Sequence, residues 1–138
     1  MIKRHAKTVL HDQIVLHFAE RYKKQGAKVL VDPNSVDLYV QWTPDETAIF
    51  EVKTVTQKSM PQRLRLAVGQ IKEYGFRMKK DLGSDPDHAL IIDRPIEALD
   101  WQREFLNDYM NVGVICSLDQ SESIFAPSQS KTSKRWGA

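Results

Sequence analysis

Apolar side chains recur with a helical period in two long stretches of the chain. Residues 8–25 and 61–80 each carry an apolar position every three or four residues, which predicts two amphipathic helices. Pro61 suits the first turn of the second helix, and Gly83 follows its end. A third helix is predicted at residues 96–110. The two apolar stripes consist of Leu10, Ile14, Phe18 and Tyr22, and of Leu64, Val68, Ile71 and Met78.

Two neighbouring segments alternate between apolar and polar residues instead. Residues 36–42 and 47–55 have the two-residue period of β-strands, and apolar runs at 28–31, 88–92 and 112–118 predict three more strands. The predicted order along the chain is αβββαβαβ. This order predicts an α/β fold, in which helices flank a mixed sheet and an αβ unit follows an αβββαβ core.

Length and composition fit one folded unit. The chain has 138 residues, of which 41% are hydrophobic, so we expect a single domain over residues 1–126. Residues 127–138 are rich in Ser and Lys and have no apolar period, which predicts a flexible basic tail. The net charge of +2 neither demands nor excludes nucleic acid as a partner.

Several features bear on where the protein acts. No apolar run approaches the roughly 18 residues of a membrane span. The first ten residues lack the long apolar stretch and the cleavage site of a signal peptide. Cys116 is the only cysteine, which excludes an internal disulfide and predicts a buried thiol. We therefore expect a cytoplasmic protein with no membrane partner.

Three charged residues interrupt the two alternating strands. Glu51 and Lys53 share one face of their strand, and Asp37 joins them if the apolar faces of the two strands match. Perfect pairing across the four-residue loop 43–46 would instead set Asp37 opposite Val52. The sequence therefore predicts a β-bulge or an irregular loop, a feature that is frequent beside active sites.

Phosphodiester hydrolysis is the chemistry that this set of residues suits. Two carboxylates can hold a hard cation such as Mg²⁺ (or Mn²⁺), which polarises a phosphate and helps to generate hydroxide. The ammonium group of Lys53 can orient the water or stabilise charge in the transition state. The backbone carbonyl of Val52 is a candidate further ligand. An ordinary cross-strand salt bridge is the alternative interpretation, because an isolated E-x-K sequence is common.

The same residues resemble the signature of the PD-(D/E)XK nuclease superfamily. Asp37 on one strand is followed by Glu51-Val52-Lys53 on the next, and the proline of the first motif is displaced to Pro33. The resemblance implies that Asp37 and Glu51 bind the metal and that Lys53 assists catalysis.

The order of elements extends this resemblance to the fold. Residues 8–92 reproduce the αβββαβ core of the superfamily, which implies a restriction-endonuclease-like fold. A metal-dependent endonuclease acting on DNA is the implied function. An RNase, or a catalytically inactive subunit that binds nucleic acid or serves assembly, stays open as an alternative.

Gln70 and Tyr74 resemble the Q-x-x-x-Y motif of RecB-like members of the superfamily. The two residues lie four positions apart, hence on one helix face, and Arg63 and Arg77 fall on the same stripe. The resemblance implies that Gln70 and Tyr74 support catalysis, and the two arginines are candidates to bind the DNA backbone. The alternative is a polar helix flank with Tyr74 half-buried.

Members of the superfamily often add an acidic residue from the first helix. Asp12 lies at the edge of the apolar face of that helix and is the first candidate for this ligand. His11 lies near the centre of the same face and is the second candidate, although a histidine there is more often a hydrogen-bonded core residue.

Cleavage of both strands of a duplex favours a homodimer or higher homo-oligomer, because two sites of opposite orientation are needed. Leu66 and Phe76 lie off the apolar stripe of their helix, where a monomer would expose them. Trp101 and Phe105 belong either to the core or to a partner contact.

Overall fold

A computed structural model describes residues 9–31, 35–83, 85–119 and 121–138. Six strands form one sheet, in which strand order follows chain order from β1 at one edge to β6 at the other. The strands are β1 Lys28–Leu30, β2 Leu38–Thr43, β3 Glu46–Lys53, β4 Asp87–Ile92, β5 Gly113–Leu118 and β6 Ser121–Phe125. The helices are α1 Val9–Lys24, α2 Met60–Leu82 and the short α3 Gln102–Glu104, which continues as a π-helix over Phe105–Tyr109.

The sheet is mixed, as the sequence predicts. β3, β4 and β5 are parallel neighbours, whereas β1–β2, β2–β3 and β5–β6 are antiparallel pairs. α2 connects β3 to β4, and the α3–π segment connects β4 to β5. Parallel neighbours need such long connections, which are usually helical. Pro61 lies in the first turn of α2, and Gly83 ends the helix with a left-handed φ of 69°.

The expected bulge is present in the hairpin of β2 and β3. Thr43 pairs with Glu46, but Gln41 pairs with Thr47, so Trp42 is the extra residue. This shift carries through to the pairing of Leu38 with Phe50 and sets the position before β2 opposite Glu51. The bulge thus gives the register that brings the predicted carboxylates together. Pro33 lies outside the described residues.

Each face of the sheet buries its own apolar cluster. α1 covers one face, where Phe18 and Tyr22 pack on Leu38, Phe50 and other strand residues. α2 and the α3–π segment together cover the other face. Cys116 is buried in this second cluster, as predicted. Within the described part of the chain, no helix is long and apolar enough to cross a membrane.

Residues 127–138 differ from the predicted flexible tail. Trp136 is fully buried in the cluster under α1, and its backbone carbonyl accepts hydrogen bonds from Tyr22 and Arg21. Gly113 makes room for the indole, since an added Cβ would lie 2.3 Å from the ring. The prediction of a tail is wrong because a buried tryptophan and the hydrogen bonds from residues 130–132 to Asp87 fix the segment without any apolar period.

Two further differences concern the last third of the chain. The sequence did not predict β6, because Ser121–Phe125 is mostly polar and has no apolar run. In the structure this strand is half-exposed at the sheet edge. The predicted helix over residues 96–110 is instead divided into a 3₁₀ turn, a short α-helix and a π-helix. π-Helical turns are rare and occur frequently at functional positions.

Candidate active site

Asp37 occupies a buried position directly before β2, with 3% of the residue exposed. Its Oδ2 accepts a hydrogen bond of 2.8 Å from the backbone N–H of Val52, and its own N–H donates to Glu51 Oε1 at 3.3 Å. The two carboxylate residues are therefore tied to each other through the backbone. Both oppose one another at the same end of the hairpin.

Glu51 is the second buried carboxylate, with 5% of the residue exposed. Its Oε2 lies 3.7 Å from Nζ of Lys53, two residues further along β3. The lysine side chain is 19% exposed, so the ammonium group reaches solvent from the edge of the buried pair. The structure thus brings all three predicted residues, Asp37, Glu51 and Lys53, into one constellation.

His11 from α1 completes the cluster. Its Nε2 lies 3.2 Å from Asp37 Oδ2, and its Nδ1 lies 3.2 Å from Asp12 Oδ1. The imidazole is buried, whereas the Asp12 side chain is 65% exposed. Asp12, the first candidate from this helix, therefore contacts His11, and the histidine is the residue that contacts Asp37. Its place at the centre of the apolar face was the signal for this.

The donor set at this end of the sheet is suited to a hard divalent cation. Carboxylate oxygens are the preferred protein ligands of Mg²⁺, which typically takes only one or two of them and completes its shell with water and phosphate. Among the described residues, no group of three or more His, Cys, Asp or Glu side chains is arranged to hold a metal. The two carboxylates of Asp37 and Glu51 are compatible with this smaller requirement, and Val52, whose N–H donates to Asp37, lies next to Glu51 in the chain.

The residues predicted on α2 occupy the flank of that helix. Gln70 and Arg63 are exposed, and Tyr74 is half-buried against the apolar cluster beneath α2. Arg77 lies 2.9 Å from Glu73, one turn away on the same helix. α2 packs on β3, the strand that carries Glu51, and on β4.

Sequence reasoning missed two charged residues at the same sheet edge. Asp93, directly after β4, accepts a hydrogen bond of 2.8 Å from the backbone N–H of Val55 and so fixes the chain just beyond Lys53. Arg94 follows, and its buried Nε has no hydrogen-bond partner among the residues that the structure describes. A charged pair directly after the apolar run 88–92 was the available signal. The carboxyl ends of parallel strands are a common place for ligands.

Comparison of the chain with protein-family models, with curated proteins and with solved structures finds no match. Function is therefore inferred from the chemistry of the site.

Proposed function

We propose that the protein is a metal-dependent nuclease that hydrolyses DNA phosphodiester bonds, with Asp37, Glu51 and Lys53 at its centre. The observation that carries the proposal is the pair of buried carboxylate residues at one sheet edge, in which Glu51 accepts from the Asp37 N–H and lies beside the Lys53 ammonium group. Two such carboxylates repel each other when both are ionised, and the Lys53 ammonium group offsets part of that repulsion. A bound cation would offset more of it.

The finer fold assignment belongs to this proposal. The order of α1, the three antiparallel strands, α2 and β4 is the αβββαβ order of the restriction-endonuclease-like core. β5 follows as the expected addition, and β6 extends the sheet beyond it. We take this order, together with the Asp37 and Glu51-Val52-Lys53 motifs, as support for a PD-(D/E)XK nuclease.

Each residue of the candidate site has a distinct part in the proposed reaction. Asp37, Glu51 and the carbonyl of Val52 would hold Mg²⁺ or Mn²⁺, which supplies Lewis-acid polarisation of the phosphate when it is bound. Lys53 orients the attacking water and offers a positive charge to the phosphoryl oxygens. His11 holds Asp37 from behind, so that one oxygen of that carboxylate keeps a fixed direction.

The contacts of Asp37 favour a second candidate, a catalytically inactive subunit that binds nucleic acid or serves assembly. Oδ2 of Asp37 already has two partners, the Val52 N–H and His11 Nε2. A carboxylate held in this manner can also be a purely structural group. The two candidates differ in whether the cluster cleaves DNA.

A plasmid-nicking assay separates the candidates. We expect cleavage with Mg²⁺ or Mn²⁺, no cleavage in EDTA, and DNA binding with little cutting in Ca²⁺, which is larger and less strict in its geometry. A labelled RNA in a parallel reaction tests the RNase alternative. Unchanged cleavage in EDTA would exclude the proposed mechanism, and DNA binding without cleavage under any divalent metal would favour the inactive subunit.

A further inference from the structure

Two helices on the same face of the sheet carry opposite charge. α2 contains six basic and two acidic residues, whereas residues 97–109 contain four acidic residues and one basic residue. Both segments pack on one apolar cluster, so they lie in one layer over the sheet. The basic residues of α2 are Arg63, Arg65, Lys72, Arg77, Lys79 and Lys80; the acidic residues of the second segment are Glu97, Asp100, Glu104 and Asp108.

The acidic segment also exposes a row of aromatic rings. Trp101, Phe105 and Tyr109 follow one another at four-residue spacing, with ring centroids 5.9 and 6.1 Å apart. Trp101 is 58% exposed and Tyr109 81%. Together with Glu104 and Asp108, these rings line an open groove of about 340 Å³.

The basic helix exposes apolar residues of its own. Leu66 and Phe76, which the sequence predicted to be wet in a monomer, are 60% and 65% exposed. Helical spacing sets them on the outward side of α2, opposite the buried stripe of Leu64, Val68 and Ile71. Arg65 and Lys80 are exposed on this outward part of the helix. Glu73 also lies on this side but is paired with Arg77, so Arg65 and Lys80 give the ridge its net positive charge. One layer thus presents a basic apolar ridge beside an acidic aromatic groove.

We propose that this layer is a dimer interface, in which α2 of each copy packs on the Trp101–Tyr109 groove of the other. A twofold axis that runs between the two helices and parallel to them sets the basic helix of one copy over the acidic segment of its partner, twice. Charge complementarity selects the second copy as the occupant, because the chain carries both halves of the contact. The negative groove repels a nucleic-acid backbone.

The proposed interface does not use the three central residues of the candidate active site. Asp37, Glu51 and Lys53 lie on β3 or directly before β2, outside α2 and the acidic segment. Leu66 lies one helical turn from Gln70, so the interface borders the flank of α2 that carries Gln70. A dimer of this kind carries two sites related by a twofold axis, which is the arrangement that cleavage of both strands of a duplex needs. The interface itself does not depend on the nuclease proposal.

Charge-reversal variants, measured by analytical ultracentrifugation, test the interface. One variant combines Glu104→Lys with Asp108→Lys, and the other combines Arg65→Glu with Lys80→Glu. Each alone makes both contacts of the dimer repulsive, so we expect dimer affinity to fall by about a hundredfold or more. An equimolar mixture restores opposite charges at both contacts, and we expect a heterodimer.

The controls separate the interface from general charge effects and from misfolding. Lys23→Glu with Lys24→Glu lowers the net charge as much as Arg65→Glu with Lys80→Glu does, but on α1, which covers the opposite face of the sheet, and should leave the dimer intact. Circular dichroism reports whether each variant is folded. A wild-type protein that stays monomeric at micromolar and higher concentration overturns the proposal, as does a mixture of the two folded variants that fails to associate. Neither result bears on cleavage, which the nicking assay reports separately.

Discussion

Carboxylates at the two ends of the parallel pair β3 and β4 have different surroundings. At the carboxyl end of β3, Glu51 shares a buried space with Asp37 and has an ammonium group 3.7 Å away. At the amino end of β4, Oδ2 of Asp87 accepts four hydrogen bonds of 2.6 to 3.0 Å, all from residues 130–132. Glu51 thus accepts from a backbone N–H and lies beside a second carboxylate residue and an ammonium group, whereas the four donors to Asp87 are all neutral.

Under the proposed function, this difference separates a carboxylate that serves the fold from two carboxylates that serve chemistry. The donors around Asp87 are the hydroxyl and N–H groups of a segment that it holds in place, so its charge is matched by hydrogen bonds that stabilise the native chain. Asp37 and Glu51 are two buried carboxylates that repel each other when both are ionised; Lys53 offsets part of this repulsion, and a bound cation would offset more of it. Burial alone would not distinguish the two.

Replacement of Glu51 is the strongest test of this distinction. Glu51→Ala is expected to lower DNA cleavage by at least about a hundredfold, because a metal ligand and its charge are removed from the site. The protein should stay folded, since the change removes one of two repelling carboxylates. Cleavage rates and circular dichroism of the same preparation measure the two outcomes.

Asp45→Ala is the matched control for Glu51→Ala. Asp45 is an exposed carboxylate in the turn of the same hairpin, and its removal should leave cleavage unchanged. Near-normal cleavage by folded Glu51→Ala would mean that the charged cluster is structural, like the one at Asp87.

The site could be predicted because it interrupts local patterns. Asp37 and Glu51 stand out from apolar strands, and the two-residue period assigns each to a face. The need for a bulge followed from the loop length, and the extra residue at Trp42 confirms it. The contact between His11 and Asp37 joins residues 26 positions apart, so the sequence indicated the candidate but not its partner.

The carboxyl-terminal segment was missed for the opposite reason. Its anchors are a lone Trp136 and the polar side chains of Ser130 and Thr132, which produce no period. Their partners are distant in sequence: Asp87 lies more than 40 residues earlier, and Tyr22 lies more than 100 earlier. Local pattern reading cannot detect such pairs, whereas the buried volume around a single indole fixes them in three dimensions.

Trp136→Ala should have the largest effect on stability. The indole is fully buried, packs edge-on against Phe50 at 5.8 Å and donates from Nε1 to Thr132 Oγ1 at 2.8 Å. We expect a loss of about 3–5 kcal/mol in the free energy of unfolding, from the cavity and the lost contacts. Urea denaturation measures it. Trp101→Ala, at an exposed tryptophan in dilute protein, is the control and should cost much less.

His88 is a buried titratable group that should make the stability of the protein depend on pH. Desolvation by burial lowers its pKa from 6.5 to about 4, with the positive charge of Lys72 as a second cause. Neither ring nitrogen has a hydrogen-bond partner among the described residues, and an added Cβ at Gly75 would lie 2.2 Å from the ring. The imidazole is therefore held neutral against α2.

The consequence is a loss of stability in acid. The unfolded chain takes up a proton near pH 6.5 and the native protein only near pH 4, so stability falls as pH drops between these values, by at most about 3 kcal/mol. His88→Phe keeps a ring of similar size and should remove this part of the pH dependence. Urea titrations of both proteins at several pH values decide; an identical acid dependence in the variant would show that another group is responsible.

The smallest expected effect is that of replacing Gln70, on the flank of α2 that is predicted to position DNA rather than to bind metal. The side chain is exposed, and the predicted metal ligands lie on other elements. Gln70→Ala should therefore lower cleavage by about three- to tenfold, the value of one hydrogen bond to a phosphate or a catalytic group, while Mg²⁺ binding stays unchanged. Gln62→Ala, an exposed glutamine in the first turn of the same helix, is the control. Calorimetric titration with Mg²⁺ separates the two roles: a variant that no longer binds the metal would place Gln70 among the groups that organise Asp37 and Glu51, and the positioning role would then be wrong.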